Sequence, residues 1–320
     1  MAEGLYLDFE RPIQELEKKI SDMRDFSVGK SIELSGEIAS LEQKLERLRT
    51  EIYSGLTRWQ RVQLSRHPKR PHTLDYITLI STDFIELHGD RGFADDKAMV
   101  GGLATIDGQQ VMIVGQQKGR DTKQKLMRNF GMAHPEGYRK ARRLFQLASR
   151  FHLPIVVLID TPGAFPGIGA EERGQAEAIA LNIQVMFTLK VPIVVVIIGE
   201  GASGGALGIG IGDRVLMMEY SWYSVISPEG CAAILWRDAA RAPEAAEALK
   251  PTADDLLALG IIDKIIPEPI GGAHNEPAQA AKIVREEILR TLDELKHKPI
   301  ELLLDERLSK YRRMGEYHVL

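Results

Sequence analysis

One α/β unit occurs twice in this chain, 38 residues apart. Leu153-Pro-Ile-Val-Val-Leu-Ile159 is matched by Val191-Pro-Ile-Val-Val-Val-Ile197. Each run has strand length and is apolar throughout, as a strand covered on both faces must be. Each leads into a glycine-rich turn and then a helical pattern. The first turn is Thr161-Pro-Gly-Ala-Phe-Pro-Gly167, before a helix predicted over about Glu171 to Lys190. The second is Gly199-Glu-Gly-Ala-Ser-Gly-Gly205. Under the same offset Pro154 matches Pro192, Gly163 matches Gly201 and Gly167 matches Gly205. Two strand–turn–helix units in register predict parallel strands joined by right-handed crossovers, with two similar turns at one edge of the core.

The flanking sequence extends this core. Met99 to Ile106 and Val111 to Gln116 enclose Asp107-Gly108-Gln109-Gln110, a hairpin signal. Glu136 to Phe151 reads as a helix and Arg214 to Met218 as a strand. Ser227-Pro228-Glu229 combines a capping serine, a proline suited to the first helical position and a first-turn acid. Cys231 follows among alanines and reads as a small buried apolar residue. After the turn Gly271-Gly272 come two helices, around Ile283 to Leu295 and Ile300 to Met314. The N-terminal region differs. Ile13, Leu16, Ile20 and Met23, then Ile38, Leu41, Leu45, Leu48 and Ile52, recur at helical spacing around a turn at Ser27 to Gly36. The seam of this helical pair suits packing on its own domain or binding a partner. Residues 57–72 hold Arg58, Arg61, Arg66, Lys69 and Arg70, two histidines and no acid, and read as a solvated connector with an anion contact as the alternative. The division expected is a helical extension and basic linker over 1–72, an α/β core over 73–270 and a C-terminal helical segment over 271–320.

The glycine-rich turn at 199–205 supports three readings. Gly199, Gly201 and Gly204 spell a dinucleotide fingerprint, with Glu219 near the place of the ribose-binding acid, but about a hundred residues of α/β pattern precede it. Gly201-Ala202-Ser203-Gly204-Gly205 spells a nucleophile elbow, with Asp263 and His274 downstream in triad order and no upstream oxyanion segment. Third, Gly204 and Gly205 can present backbone N–H groups at a helix start, where glycine lets a ligand approach and aligned amides stabilise a developing anion. A plain strand–helix packing turn stands beside all three.

Other chemistries find little support. The histidines are scattered, and His88-Gly-Asp-Arg-Gly-Phe-Ala-Asp-Asp96 reads as a solvated turn rather than a magnesium site. Glu171-Glu172 read as first-turn acids. Gly29-Lys30-Ser31 resembles the end of a phosphate-binding loop, but no strand precedes it and Arg24 stands where its first glycine belongs. No metal site is expected. One cysteine excludes a disulfide framework, a net charge of −4 gives no global field for nucleic acid or anionic membrane, and no apolar run has spanning length. The acidic first ten residues are unlike a signal peptide, so a cytoplasmic location is expected.

Three segments together, Thr161 to Gln175, Gly199 to Leu207 and Tyr223 to Cys231, resemble the α subunit of bacterial acetyl-CoA carboxylase carboxyltransferase. Arg66-His-Pro-Lys-Arg-Pro71, His88-Gly-Asp-Arg91 and Ile266-Pro-Glu-Pro-Ile-Gly-Gly-Ala-His274 extend the resemblance along the whole chain. Ala202 departs from the glycine of some members and lies outside the Gly204–Gly205 pair. The resemblance implies a crotonase-like fold, a ββα spiral core with an N-terminal helical extension and C-terminal helices. It implies transfer of a carboxyl group from N-carboxybiotin on the biotin carboxyl carrier protein to acetyl-CoA, giving malonyl-CoA for fatty acid synthesis. It assigns the biotin-side oxyanion hole to Gly204 and Gly205, and a pocket wall to Gly163, Ala164, Phe165 and Gly167. A β subunit, in an α2β2 assembly, is expected to supply the second oxyanion hole, much of the acyl-CoA site and a zinc ribbon. No lysine stands in a Met-Lys-Met setting, so biotin is expected as a visiting substrate rather than a covalent cofactor. ATP is expected to be consumed by a separate biotin carboxylase.

Overall fold

The computed structural model describes residues 6–30 and 34–315. Part of the Ser27–Gly36 turn, the Ser31 of the phosphate-loop resemblance and the first five residues lie outside that range. Two antiparallel helices open the chain, α1 (Arg11–Lys30) and α2 (Ser35–Ser54). Then come α3 (Arg58–Ser65), α4 (Thr73–Ile80), β1 (Thr82–Glu86), β2 (Met99–Ile106) and β3 (Gln109–Gln116). Helices α5 (Thr122–Met127) and α6 (Pro135–Arg150) precede β4 (Ile155–Thr161), α7 (Ile168–Glu172), α8 (Gln175–Met186), β5 (Ile193–Ala202) and α9 (Ser203–Leu207). The rest is β6 (Arg214–Met218), β7 (Trp222–Ser224), α10 (Pro228–Trp236), α11 (Ala242–Leu249), α12 (Ala253–Ala258), β8 (Lys264–Ile266), α13 (Pro277–Lys296) and α14 (Ile300–Arg312).

The strands form one sheet in the order β1-β2-β3-β4-β5-β6-β8. The first three are antiparallel and the rest parallel. The hairpin β2–β3 turns at Asp107 and Gly108, both at positive φ (44° and 80°), as a two-residue turn between twisted strands requires. Strand β5 divides its partners. Val194–Ile197 pair with β6, while Glu200–Ala202 pair with β7, so the end of β5 carries the chain into a second layer.

The 38-residue repeat is the register of the sheet. Ile155 lies opposite Ile193, and each following pair to Ile159 and Ile197 keeps the same offset. Odd-numbered residues of both strands face one core, covered by Tyr138, Leu144 and Phe145 of α6 and by Ala178 and Met186 of α8. Even-numbered residues face a second core, covered by Tyr76, Ile77 and Ile80 of α4 and by Val284, Ile288 and Leu292 of α13. Two covered faces explain why the strand runs are apolar without alternation. Truncating one such side chain to alanine typically costs about 2–5 kcal/mol.

Beyond Ile159 the repeat fails. Thr161 lies opposite Gly201, so the one residue Asp160 faces Ile198, Gly199 and Glu200. Gly199–Ala202, read from sequence as turn, is strand. The helix expected over Glu171 to Lys190 is α7 and α8, divided by Gly174 at φ 79° and ending at Met186. The other predicted helices, the strand β6 and the Ser227 cap, whose side chain accepts the Gly230 N–H at 3.1 Å, stand where expected. Cys231 is buried.

The N-terminal seam is used within the chain. Ile13, Ile20, Leu45 and Tyr53 are buried together with Leu56, Leu64 and Tyr220. Residues 57–72 are not a solvated connector. Val62, Leu64, His67 and Arg70 are at most 2% exposed. Arg58 pairs with Asp255 and Glu247, and Arg61 with Asp254. The counter-charges that the segment lacks locally are supplied by residues nearly two hundred positions away. At the other end Arg307 is buried and donates to both Asp213 oxygens (2.8 Å) and to the carbonyls of Met186, Leu189 and Val191. This fastens α14 beneath the start of β5.

Candidate active site

The parallel strands end in the turns singled out from sequence, at the edge where open α/β sheets bind ligands. Ala202 ends β5, and Ser203 opens α9 at φ 58°, a left-handed conformation for a residue with a side chain. Gly205 is buried against the turn after β4. A Cβ there would lie 2.3 Å from the Gly163 carbonyl carbon and 2.5 Å from the Ala164 nitrogen. At Gly204 a Cβ would meet only Ile179, at 3.6 Å. The Gly205 carbonyl accepts hydrogen bonds from Gln116 Nε2 (2.9 Å) and Tyr138 Oη (3.3 Å), and Gln116 Oε1 in turn accepts the Asp160 N–H. The amides of α9's first turn have no acceptor inside the helix by the geometry of a helix start.

The opposing turn is equally fixed. Gly163 N–H donates to Thr161 Oγ1 (3.1 Å), and Thr161 Oγ1 donates toward the carbonyls of Gly131 and Gly163. Phe165 stacks on His134 with ring centroids 4.1 Å apart, and its carbonyl accepts from Gln175 Nε2. Gly167 caps α7, where a Cβ would run into the Phe165 ring at 2.4 Å. The fold thus brings Gly205 against Gly163 and Ala164, with Phe165 and Gly167 further along the same turn. Beside α9 opens an apolar cavity of about 670 Å³ lined by Ser203, Gly204, Leu207, Tyr223, Leu256 and Leu259 among others; Gly163, Ala164, Phe165 and Gly167 are not part of its lining.

The rival readings of the turn lose their partners. Asp263 pairs with Lys310 and accepts the Val215 N–H. His274 stacks on His67 at 3.8 Å, its imidazole pushed down to about 3 by burial and by the neighbouring His67. Neither is a hydrogen-bond partner of the exposed Ser203. The fingerprint glycines answer to packing: a Cβ on Gly199 would lie 2.5 Å from Asp160 Oδ1, and one on Gly201 2.8 Å from the Tyr223 ring. The His88–Asp96 segment is a largely exposed turn, with residues 91–95 open to solvent; Asp90 accepts three backbone N–H groups and pairs with Arg139, and Asp96 anchors the end of the turn in the interior. Among the described residues no group of three or more His, Cys, Asp or Glu is placed to hold a metal.

A buried ionic network behind the turn was not read from sequence. Lys118 Nζ lies 2.6 Å from Asp160 and 2.5 Å from Glu200, and Arg66 Nε lies 2.6 Å from the other Glu200 oxygen. Arg66 also reaches Glu229 in the first turn of α10. Burial alone would depress the Lys118 ammonium, but Asp160 and Glu200 hold it above its ordinary value. Burial likewise opposes the Glu200 carboxylate, which Lys118 and Arg66 keep below its ordinary range. Arg70, 2% exposed, donates to both Glu268 oxygens and to the Ile198 carbonyl at 2.9 Å. Two signals were available: single acids at the ends of wholly apolar strand runs, and a basic stretch with no acid of its own.

A mixed sheet whose parallel strands end in paired glycine turns, with a second layer entered through β5, defines a crotonase-like carboxyltransferase fold. Among solved structures, transcarboxylase 12S aligns with TM-score 0.57 at 22% identity over 70% of this chain, which spans 41% of that longer chain. A Pseudomonas malonate decarboxylase hetero-tetramer in complex with coenzyme A aligns with TM-score 0.60 at 17% identity, over 75% of this chain and 93% of the other. The family model "Acetyl co-enzyme A carboxylase carboxyltransferase-like" matches residues 6–315, and the chain belongs to that family of carboxyltransferases. Relatives named acetyl-coenzyme A carboxylase carboxyl transferase subunit alpha are 57% identical in Chlorobaculum parvum (over 332 residues) and in Geobacter metallireducens (over 317 residues), each alignment covering 99% of both chains.

Proposed function

We propose that this chain is the α half of a two-subunit carboxyltransferase that moves the carboxyl group of N-carboxybiotin to acetyl-CoA, yielding malonyl-CoA. The observation that carries the reading is the backbone contact of Gly205 with Gly163–Ala164 in a chain whose family match runs almost from end to end. Loss of the carboxyl group from carboxybiotin leaves negative charge on the ureido oxygen, and removal of an acetyl proton makes an enolate. Each anion needs preorganised donors more than it needs a side-chain nucleophile. Gly204 and Gly205 serve as the biotin-side donors, Gly163, Ala164, Phe165 and Gly167 wall a substrate pocket shared with the β subunit and separate from the apolar cavity beside α9, and the released biotin nitrogen takes the acetyl proton.

Residues 1–72 act as a helical extension, 73–270 as the carboxyltransferase core and 271–320 as a closing helical segment. The enzyme works in the cytoplasm as an α2β2 assembly. It visits the biotin carboxyl carrier protein, while a separate biotin carboxylase consumes ATP; biotin is a substrate here and is not attached to this chain. In support, no helix among the described residues is long and apolar enough to cross a membrane. The test is malonyl-CoA formation from carboxybiotin and acetyl-CoA, with and without a co-purified β subunit. Activity is expected only with both, and robust activity of this chain alone overturns the division of labour.

A further inference from the structure

At the point where β4 and β5 lose their common register, side chains replace the missing ladder bonds. Asp160 faces three residues of β5, and its Oδ1 accepts the Glu200 N–H at 3.0 Å. The Ile198 carbonyl on the same bulge is taken by Arg70 at 2.9 Å. A bulge beside a functional edge redirects the strand that carries it. This one sends Glu200–Ala202 away from β6 to pair with β7, and three residues after Glu200 comes Ser203, the first residue of α9. Gly199 has no room for a side chain because Asp160 lies where its Cβ would be. Lys118 in turn grips both carboxylates, and Arg66 ties Glu200 to α10. Two bulge groups and the cations around them are therefore fixed as one unit immediately before the Gly204–Gly205 amides.

We infer that Asp160, clamped by Lys118, is a positioning residue: it plugs the β5 bulge and so sets the direction in which the glycine turn presents its amides. The inference rests on the function proposed above for that turn. Asp160 itself needs no contact with substrate, and its influence passes through the Glu200 N–H. An error of about 1 Å at a reacting centre can cost on the order of 10²-fold in rate. The signature is a fall in kcat at constant substrate binding.

The experiment compares Asp160→Ala and Asp160→Asn, each assembled with the β subunit, in carboxyl transfer and in amide hydrogen exchange. Asp160→Ala is expected to lower kcat per assembled complex about 10²-fold, with KM for acetyl-CoA within about twofold of wild type. Exchange should accelerate at Glu200–Gly205 and stay unchanged in β2 and β3. Asp160→Asn keeps a carbonyl oxygen for the Glu200 N–H and should recover most of the loss. Should Asp160→Ala fail to assemble, Lys118→Gln carries the test, with the same kcat fall and the same local exchange expected. Assembled variants with wild-type kcat and unchanged exchange overturn the inference, as does an Asp160→Asn no better than Asp160→Ala. A wild-type complex that makes no malonyl-CoA would instead overturn the proposed function, and the exchange measurement would still decide whether Asp160 holds the bulge.

Discussion

Gly205 and Gly163 touch through their backbones, with only 2.3 Å between the Gly163 carbonyl carbon and the place a Gly205 Cβ would occupy. Gly204, its neighbour, keeps ordinary van der Waals room on the same test. The two glycines that a motif treats as a pair therefore have different reasons to be glycine. Gly205→Ala should force the two turns apart and lower carboxyl transfer by roughly 10²–10³, the usual effect of displacing an oxyanion donor. Gly204→Ala should fold with wild-type stability. Thermal unfolding and the transfer rate of both variants, in complex with the β subunit, test this. Equal stability of the two would remove the steric distinction.

Ser203 stands exposed at φ 58° with neither Asp263 nor His274 as a hydrogen-bond partner. Ser203→Ala should leave transfer within a few-fold of wild type, whereas loss of a triad serine costs on the order of 10⁶. Ser203→Gly should stabilise the chain by about 1 kcal/mol, since a left-handed conformation costs a side-chain-bearing residue roughly 1–2 kcal/mol. Denaturant midpoints read the second effect, and a Ser203→Ala variant without activity would restore the hydrolase reading.

The part of the fold that lay in plain view was local. Asp107-Gly108 as a turn and Ser227 as a cap each involve residues within a few positions of one another, and the offset from Ile155 to Ile193 is itself the pairing of two strands. The interactions that tune the site join residues far apart. Lys118 meets Glu200, Arg66 meets Glu229 and Arg70 meets Glu268, pairs created by the crossover of the chain and marked by no spacing. The glycine match of Gly163 with Gly201 misled for a related reason. A bulge shifts the register at Asp160, so the residue that meets Gly163 is Gly205, which the repeat had aligned with Gly167.

His274 makes a prediction about acid. Folded, it stays neutral to about pH 3 because it is buried beside His67; unfolded, it takes a proton near the ordinary imidazole value of 6.5. Between those values the unfolded chain binds more protons, so stability contributed by the neutral imidazole is complete above about pH 6.5 and is lost as pH falls toward 3. Against a His274→Gln variant, wild-type unfolding free energy should decline more steeply there, by up to about 1.4 kcal/mol per pH unit for one proton. Parallel curves for the two proteins would contradict this.

Truncation separates the helical pair from the core. Removal of residues 1–56 should leave a folded α/β unit that assembles less well with the β subunit, because α1 and α2 bury their seam chiefly against each other. Removal through Ser65 should prevent folding, since it also deletes the fully buried Val62 and Leu64 and the Arg58 pairs with Glu247 and Asp255. Far-ultraviolet circular dichroism and size-exclusion chromatography distinguish the outcomes. A folded product of the longer deletion would show that α3 is dispensable.

Arg307 has a consequence for the order of events in the cell. The carbonyls of Met186, Leu189 and Val191 and the carboxylate of Asp213 wait for a guanidinium encoded more than ninety residues after any of them. Until then the entrance to β5 holds polar groups arranged for a cation that has not been made, and leaving a buried charge without its partner costs about 3–5 kcal/mol. This corner of the enzyme thus closes only once Arg307 has been made, and a nascent chain stopped just short of it would be a natural target for chaperones and proteases, whereas one extended past it would not.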